Sequence, residues 1–273
     1  MPHATAEDGT KIHYETTGSG KDVVLVHGWP LSHEMWSAQT EALVDAGFRV
    51  TAMCRRGFGH SDKPDHGYDY NTMSEDLAAV MAAAEVKDAA LVGFSMGGGE
   101  VARYMSRYHE ANVSKAVLVS SIVPYMLKTE DNPDGVPAET FADFKSSIAD
   151  DREAFFKGFA GDFYGQDTEE GGVDQDTLDW TLKTCMMASE LATISCIDAF
   201  GKTDFRPDLA AFTVPTLVIH GTGDQVVPID TSGRAAAKGI EGAKLKEYDG
   251  APHGLHATHT EQLNEDLIAF LKR

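Results

Sequence analysis

The sequence predicts an α/β fold: a mostly parallel central sheet with helices on both faces and an inserted helical cap. Three observations carry this. Six short apolar runs lack strict alternation, as strands covered on both faces do. Helical stretches lie between them, so strand and helix alternate. From about Pro124 to Arg206 that alternation stops, and only helix candidates remain.

Taken in order, Lys11–Thr16 alternates apolar and polar after Asp8-Gly9 and suits an antiparallel edge strand. Asp22–His27 is the first run with a buried-strand pattern. Met35–Ala46 reads as a helix ending at Gly47, and Phe48–Met53 as the next buried strand. Thr72–Ala84 is helical, with Asn71 or Thr72 as its cap. Strand Ala89–Phe94, helix Met96–Tyr108 and strand Val113–Ser120 follow. The cap then offers helices Ala138–Ala149, Arg152–Ala160, Gln175–Ala188 and Glu190–Phe200, separated by loops rich in Gly, Asp and Pro. Buried strands resume with Thr216–Gly221 and Lys244–Tyr248. Glu261–Leu271 closes the chain as a helix with Leu263, Leu267, Ile268 and Leu271 at helical spacing. The expected organisation is a core over 1–123, a cap over 124–206 and the rest of the core over 207–273.

Composition narrows the function. With 273 residues, 42% of them hydrophobic, the chain can bury a substantial core. No apolar run reaches the roughly 20 residues of a membrane span. The first residues have neither a basic start nor an apolar stretch, so no signal peptide is expected and the location expected is cytoplasmic. Cys54, Cys185 and Cys196 form no C-x-x-C pair and are expected as buried thiols. A formal net charge of −20 disfavours nucleic acid and anionic membranes as partners.

Gly93-Phe94-Ser95-Met96-Gly97 is the one G-x-S-x-G match in the chain, and it falls where a strand meets a helix. A serine at such a tight turn stands above the sheet edge at a helix N-terminus, as a nucleophile requires. A serine hydroxyl needs a base, and the base a partner to fix its tautomer. The chain order Ser, acid, His selects Asp224, just past strand Thr216–Gly221, and His253, just past strand Lys244–Tyr248. Asp249 rivals Asp224, but it precedes His253 by four residues on the same loop, an awkward distance for orienting it. His27 and His220 end strands before glycine and read as structural. His256 and His259 mimic a metal cluster without a supporting carboxylate motif, so no metal is expected. The oxyanion donors expected are the backbone N–H groups of Met96 and Trp29, the latter from His27-Gly28-Trp29-Pro30.

With those residues placed, the chain resembles the cofactor-free bacterial haloperoxidases and aryl esterases, or perhydrolases, of the α/β-hydrolase fold. The resemblance runs nearly end to end. It includes His27-Gly28-Trp29-Pro30-Leu31, Arg55-Arg56-Gly57-Phe58-Gly59-His60-Ser61, Val92 to Tyr104, Asp131-Asn132-Pro133-Asp134-Gly135-Val136-Pro137, Thr203-Asp204-Phe205-Arg206-Pro207-Asp208, Pro215 to Gly221 and Ala251-Pro252-His253-Gly254. It implies the same triad and oxyanion donors, hydrolysis of short-chain and aryl esters, hydrogen peroxide in place of water during deacylation, and a homo-oligomer. Pro30 stands where haloperoxidase-type members carry proline, which favours perhydrolysis. The resemblance also implies an acyl pocket of Phe144, Phe159 and Phe163 with Trp29, Phe94, Val226 and Val227. One departure stands out. The family reads Asp-Arg-Arg where this chain has Cys54-Arg55-Arg56, so loop bracing and a partner for Arg55 are expected to be lost. Lactonase or γ-lactamase activity fits the same constellation, and a slow-turnover receptor is the alternative from another class.

Overall fold

The computed structural model describes residues 2–109 and 112–273. Eight strands form one sheet: β1 (His3–Thr5), β2 (Lys11–Gly18), β3 (Lys21–Val26), β4 (Phe48–Met53), β5 (Ala89–Phe94), β6 (Val113–Val119), β7 (Thr216–Gly221) and β8 (Lys244–Tyr248). Their spatial order is β1-β2-β4-β3-β5-β6-β7-β8. Only the β1/β2 and β2/β4 pairings are antiparallel; the remaining five are parallel. β5 and β7 are buried along their whole length, which is why they read as unbroken apolar runs.

Two strand expectations change. The antiparallel β2 is not the edge, because the short β1 pairs outside it. β8, expected to be buried, is the opposite edge, and only Tyr248 on it is buried. Its Lys-Leu-Lys-Glu-Tyr sequence carries the charge that keeps an exposed edge from pairing with another chain.

Helices α1 (Ser37–Asp45), α2 (Tyr70–Ala83), α3 (Met96–Tyr108) and, near the end, α9 (Thr260–Leu271) cover the sheet; α1 packs on α9 and α2 on α3. The stretch expected as one helix from Met35 is a 3-10 turn, His33–Trp36, that runs into α1. α2 is capped by Asp69, two residues before Asn71 and three before Thr72, the caps expected; its carboxylate accepts from the Asn71 and Thr72 N–H groups.

Between β6 and β7 come α4 (Ala138–Tyr164), α5 (Gln175–Met187) and α6 (Glu190–Lys202), with α4 packed on both others. The two helices expected, Ala138–Ala149 and Arg152–Ala160, are the two halves of α4, which breaks between them and runs on to Tyr164. At the kink Asp151 leaves helical geometry (φ −148°, ψ 92°) and its carboxylate accepts from the Ala154 N–H at 2.9 Å, capping the second half. A short α7 (Gly233–Gly239) and the single turn α8 (Leu255–Thr258) complete the chain. No helix among the described residues is long and apolar enough to cross a membrane.

Candidate active site

Ser95 sits between β5 and α3 with φ 52° and ψ −119°, a conformation an L residue adopts only under strain. The turn closes because its flanks lack side chains. A Cβ at Gly93 would lie 2.5 Å from the Gly97 carbonyl oxygen, and one at Gly97 would lie 2.4 Å from that of Val26. The Ser95 N–H donates to Val119 O at 2.9 Å, tying the turn to the next strand.

His253 and Asp224 arrive from the carboxyl ends of β8 and β7. His253 Nε2 is 3.0 Å from Ser95 Oγ, and His253 Nδ1 is 2.7 Å from Asp224 Oδ2. The other oxygen, Asp224 Oδ1, accepts from the Val226 and Val227 N–H groups at 2.9 and 2.7 Å. A carboxylate only accepts, so Nδ1 of His253 carries the hydrogen and Nε2 offers its lone pair to the serine hydroxyl. Burial would raise the Asp224 carboxyl, but His253 and His220 beside it hold it well below the usual carboxylate range. The rival carboxylate, Asp249, instead accepts from the Thr222 hydroxyl at 3.2 Å.

A pH dependence follows. Because the folded-state pKa of Asp224 is depressed, its contribution to stability is full above the unfolded value of about 4 and is lost as pH falls below it. Thermal unfolding of the native protein and Asp224→Asn across acid pH is expected to show a gap that narrows below about pH 4. A gap of constant size would contradict this.

His27 and His220 do not touch Ser95. His27 Nδ1 donates to Gly28 O at 2.8 Å while Nε2 accepts from the Arg55 N–H at 2.9 Å, so the ring is neutral, and burial holds its pKa far down. His220 was not expected near the acid. Its Nε2 lies 2.9 Å from Val227 O and 3.2 Å from Asp224 Oδ2, the same carboxylate oxygen that His253 holds. A fully buried strand gives no alternation by which to read such a facing. His256 is buried behind the triad, pushed down to about 3 by burial and by His253. His259 instead pairs with the Thr258 hydroxyl.

Met96 is the first residue of α3, where backbone N–H groups have no partner within the helix. Trp29 is nearly buried. Its indole donates to Thr193 O at 3.0 Å, and its ring packs edge-on against Phe155, Phe156 and Phe159. The loop bracing expected to be lost is present. Arg55 is paired with the buried Glu100 of α3 and also donates to His27 O at 2.7 Å. Cys54 Sγ lies 3.0 Å from His33 Nδ1, and the Ser61 hydroxyl donates to Cys54 O at 2.8 Å.

Ser95 and His253 open into a cavity of about 410 Å³. Trp29, Phe144, Phe159, Val226 and Val227 line it as expected, and Phe141, Phe155 and Phe200 join them. Phe94 and Phe163 do not. Their ring centroids each lie 5.0 Å from that of His253, so they pack against the imidazole. The spacing Phe159–Phe163 puts both on one helix face, but one turn carries Phe163 past the cavity.

The chain belongs to the α/β hydrolase fold family, whose model matches residues 22–260. It is 42% identical over 275 residues, with full coverage of both, to a non-heme chloroperoxidase of Kitasatospora aureofaciens. It is 41% identical, again over the full length of both, to a bifunctional esterase/perhydrolase of Acinetobacter calcoaceticus. The crystal structure of a bromoperoxidase from Bacillus anthracis matches with TM-score 0.95 and 43% identity, covering 99% of each chain. These likenesses put the chain in the non-haem haloperoxidase and esterase branch of that family.

Proposed function

We propose that the protein is a serine hydrolase of small aryl and short-chain carboxylic esters, in which hydrogen peroxide can replace water in deacylation. The observation that carries this is the Asp224–His253–Ser95 hydrogen-bond chain opening onto an aromatic cavity. His253 takes the Ser95 proton as Oγ attacks the ester carbonyl. The Trp29 and Met96 N–H groups receive the oxyanion. As the tetrahedral intermediate collapses, the ester C–O bond breaks and the alcohol leaves with the proton from His253. Water, deprotonated by His253, then releases the acid; peroxide releases a peracid instead, which oxidises halide in solution. Asp224 stabilises the imidazolium throughout. The haloperoxidase and perhydrolase relatives support the peroxide branch. The residues 124–206 act as the cap that walls the acyl pocket. A cytoplasmic location agrees with three free, buried cysteines.

The test is a panel of aryl esters of increasing acyl length, with and without peroxide. Turnover is expected to be best for acetate and to fall by on the order of tenfold or more for long acyl chains, because the cavity is closed by aromatic rings. With peroxide and a carboxylic acid, bromide-dependent bromination of a dye is expected. Labelling of Ser95 by a fluorophosphonate with only a single turnover of aryl acetate would favour a receptor and overturn the proposal.

A further inference from the structure

A second group of chemistry-bearing side chains gathers where β2 meets β4, on residues that do not line the Ser95 cavity. His13 and Glu15 are two apart on β2 and so project from the same face. His33 joins them from the 3-10 turn that follows the Trp29 loop. Glu15 Oε1 is 3.6 Å from His13 Nε2, and Glu15 Oε2 is 3.6 Å from His33 Nε2. The three donor atoms lie within 4.8 Å of one another.

The state of His13 decides what this group is for. Its side chain is fully buried, and its Nδ1 lies 3.1 Å from the Pro2 carbonyl oxygen. A carbonyl only accepts, so Nδ1 carries the hydrogen, and Nε2 of the neutral ring bears a lone pair. That buried Nε2 has no hydrogen-bond partner, and it looks at a carboxylate oxygen. Two electron-rich atoms therefore face each other, and a positive charge belongs between them. A bound metal ion would supply that charge. Donors 3.6 Å apart subtend a tetrahedral angle at an ion about 2.2 Å from each, close to the bond lengths of zinc with imidazole and carboxylate. The ring of His33 is oriented from behind as ligating histidines are, with Nδ1 held 3.0 Å from Cys54 Sγ.

We propose that His13 Nε2, the Glu15 carboxylate and His33 Nε2 form a binding site for a divalent transition metal of the zinc type, with solvent completing the shell. Two imidazoles and one carboxylate select such an ion over magnesium or calcium, which take oxygen ligands. The ion clamps β2 to the turn behind the Trp29 loop, so its role is structural and separate from ester cleavage. This departs from the expectation that the chain holds no metal.

The experiment titrates chelator-treated full-length protein with Zn²⁺ by calorimetry and records the unfolding temperature with and without Zn²⁺. One equivalent is expected to bind in the micromolar range or tighter and to raise the unfolding temperature. His13→Gln and His33→Gln, measured separately, are each expected to weaken that binding by roughly tenfold or more and to remove the thermal shift, while Zn²⁺-free aryl acetate turnover stays near that of the native protein. Absence of saturable binding overturns the proposal. So does an equivalent of Zn²⁺ that binds the His33→Gln variant as tightly as the native chain.

Discussion

Alanine at position 95 is expected to lower kcat/KM for an aryl acetate by about 10⁴- to 10⁶-fold, with the unfolding temperature little changed. Ser95 is buried, and its hydroxyl lies 3.0 Å from His253 Nε2. Removing it deletes the atom that forms the acyl bond, and the cavity lining offers no other nucleophile paired to a base. Residual rate would come from oxyanion stabilisation and binding alone. Because the three side chains act as a unit, Ser95→Ala/His253→Ala is expected to lose little more than Ser95→Ala. The positive φ at Ser95 supports the assignment, since strain of this kind persists where the surrounding structure enforces it, and such positions cluster at active sites. The measurement is steady-state kinetics on purified native and variant protein. Turnover within tenfold of the native rate would remove Ser95 from the mechanism.

What could be read in the sequence follows the range of the signal. Ser95 was legible because the strand, the two glycines and the helix that place it are contiguous. Asp224 and His253 were legible because each lies just past a strand, and parallel strands end on one side of the sheet. Features set by packing over distance were not. The partner of Arg55 is Glu100, 45 residues away on another element, and the Cys54 substitution gave no hint of it. That Phe94 and Phe163 pack on His253 and not on the cavity wall was not legible, because aromatic residues on a strand end or helix face announce burial, not which neighbour they bury against. α7, Gly-Arg-Ala-Ala-Ala-Lys-Gly, has no apolar stripe to find. His13, Glu15 and His33 come from two elements, and their nearness depends on the pairing of β2 beside β4 and the position of the turn after β3.

Glu100→Gln is expected to give the largest stability loss of any single substitution considered, about 3–5 kcal/mol. Arg55 and Glu100 are both essentially unexposed, with Arg55 Nε donating to Glu100 Oε1 at 2.5 Å and Nη2 reaching the same oxygen. Burial pushes the Glu100 carboxyl up to about 7 despite the guanidinium beside it. Arg55 Nη1 and Glu100 Oε2 have no partner. Desolvation thus takes back much of what the attraction supplies, so the pair as a whole adds little, yet neither member tolerates loss of the other. An uncharged glutamine leaves the arginine charge buried and uncompensated. For a chain of this size the loss corresponds to a fall in unfolding temperature of roughly 10 °C. Arg55 also holds His27 O and, through its N–H, His27 Nε2, so the defect reaches the loop that carries Trp29, and kcat is expected to fall with stability. The discriminating measurement is a double-mutant cycle. Arg55→Met/Glu100→Leu removes both charges and is expected to recover most of the stability that Glu100→Gln loses. If Glu100→Gln costs less than about 1 kcal/mol, the contact is no stronger than a surface ion pair, and the oxyanion loop must be held by other contacts.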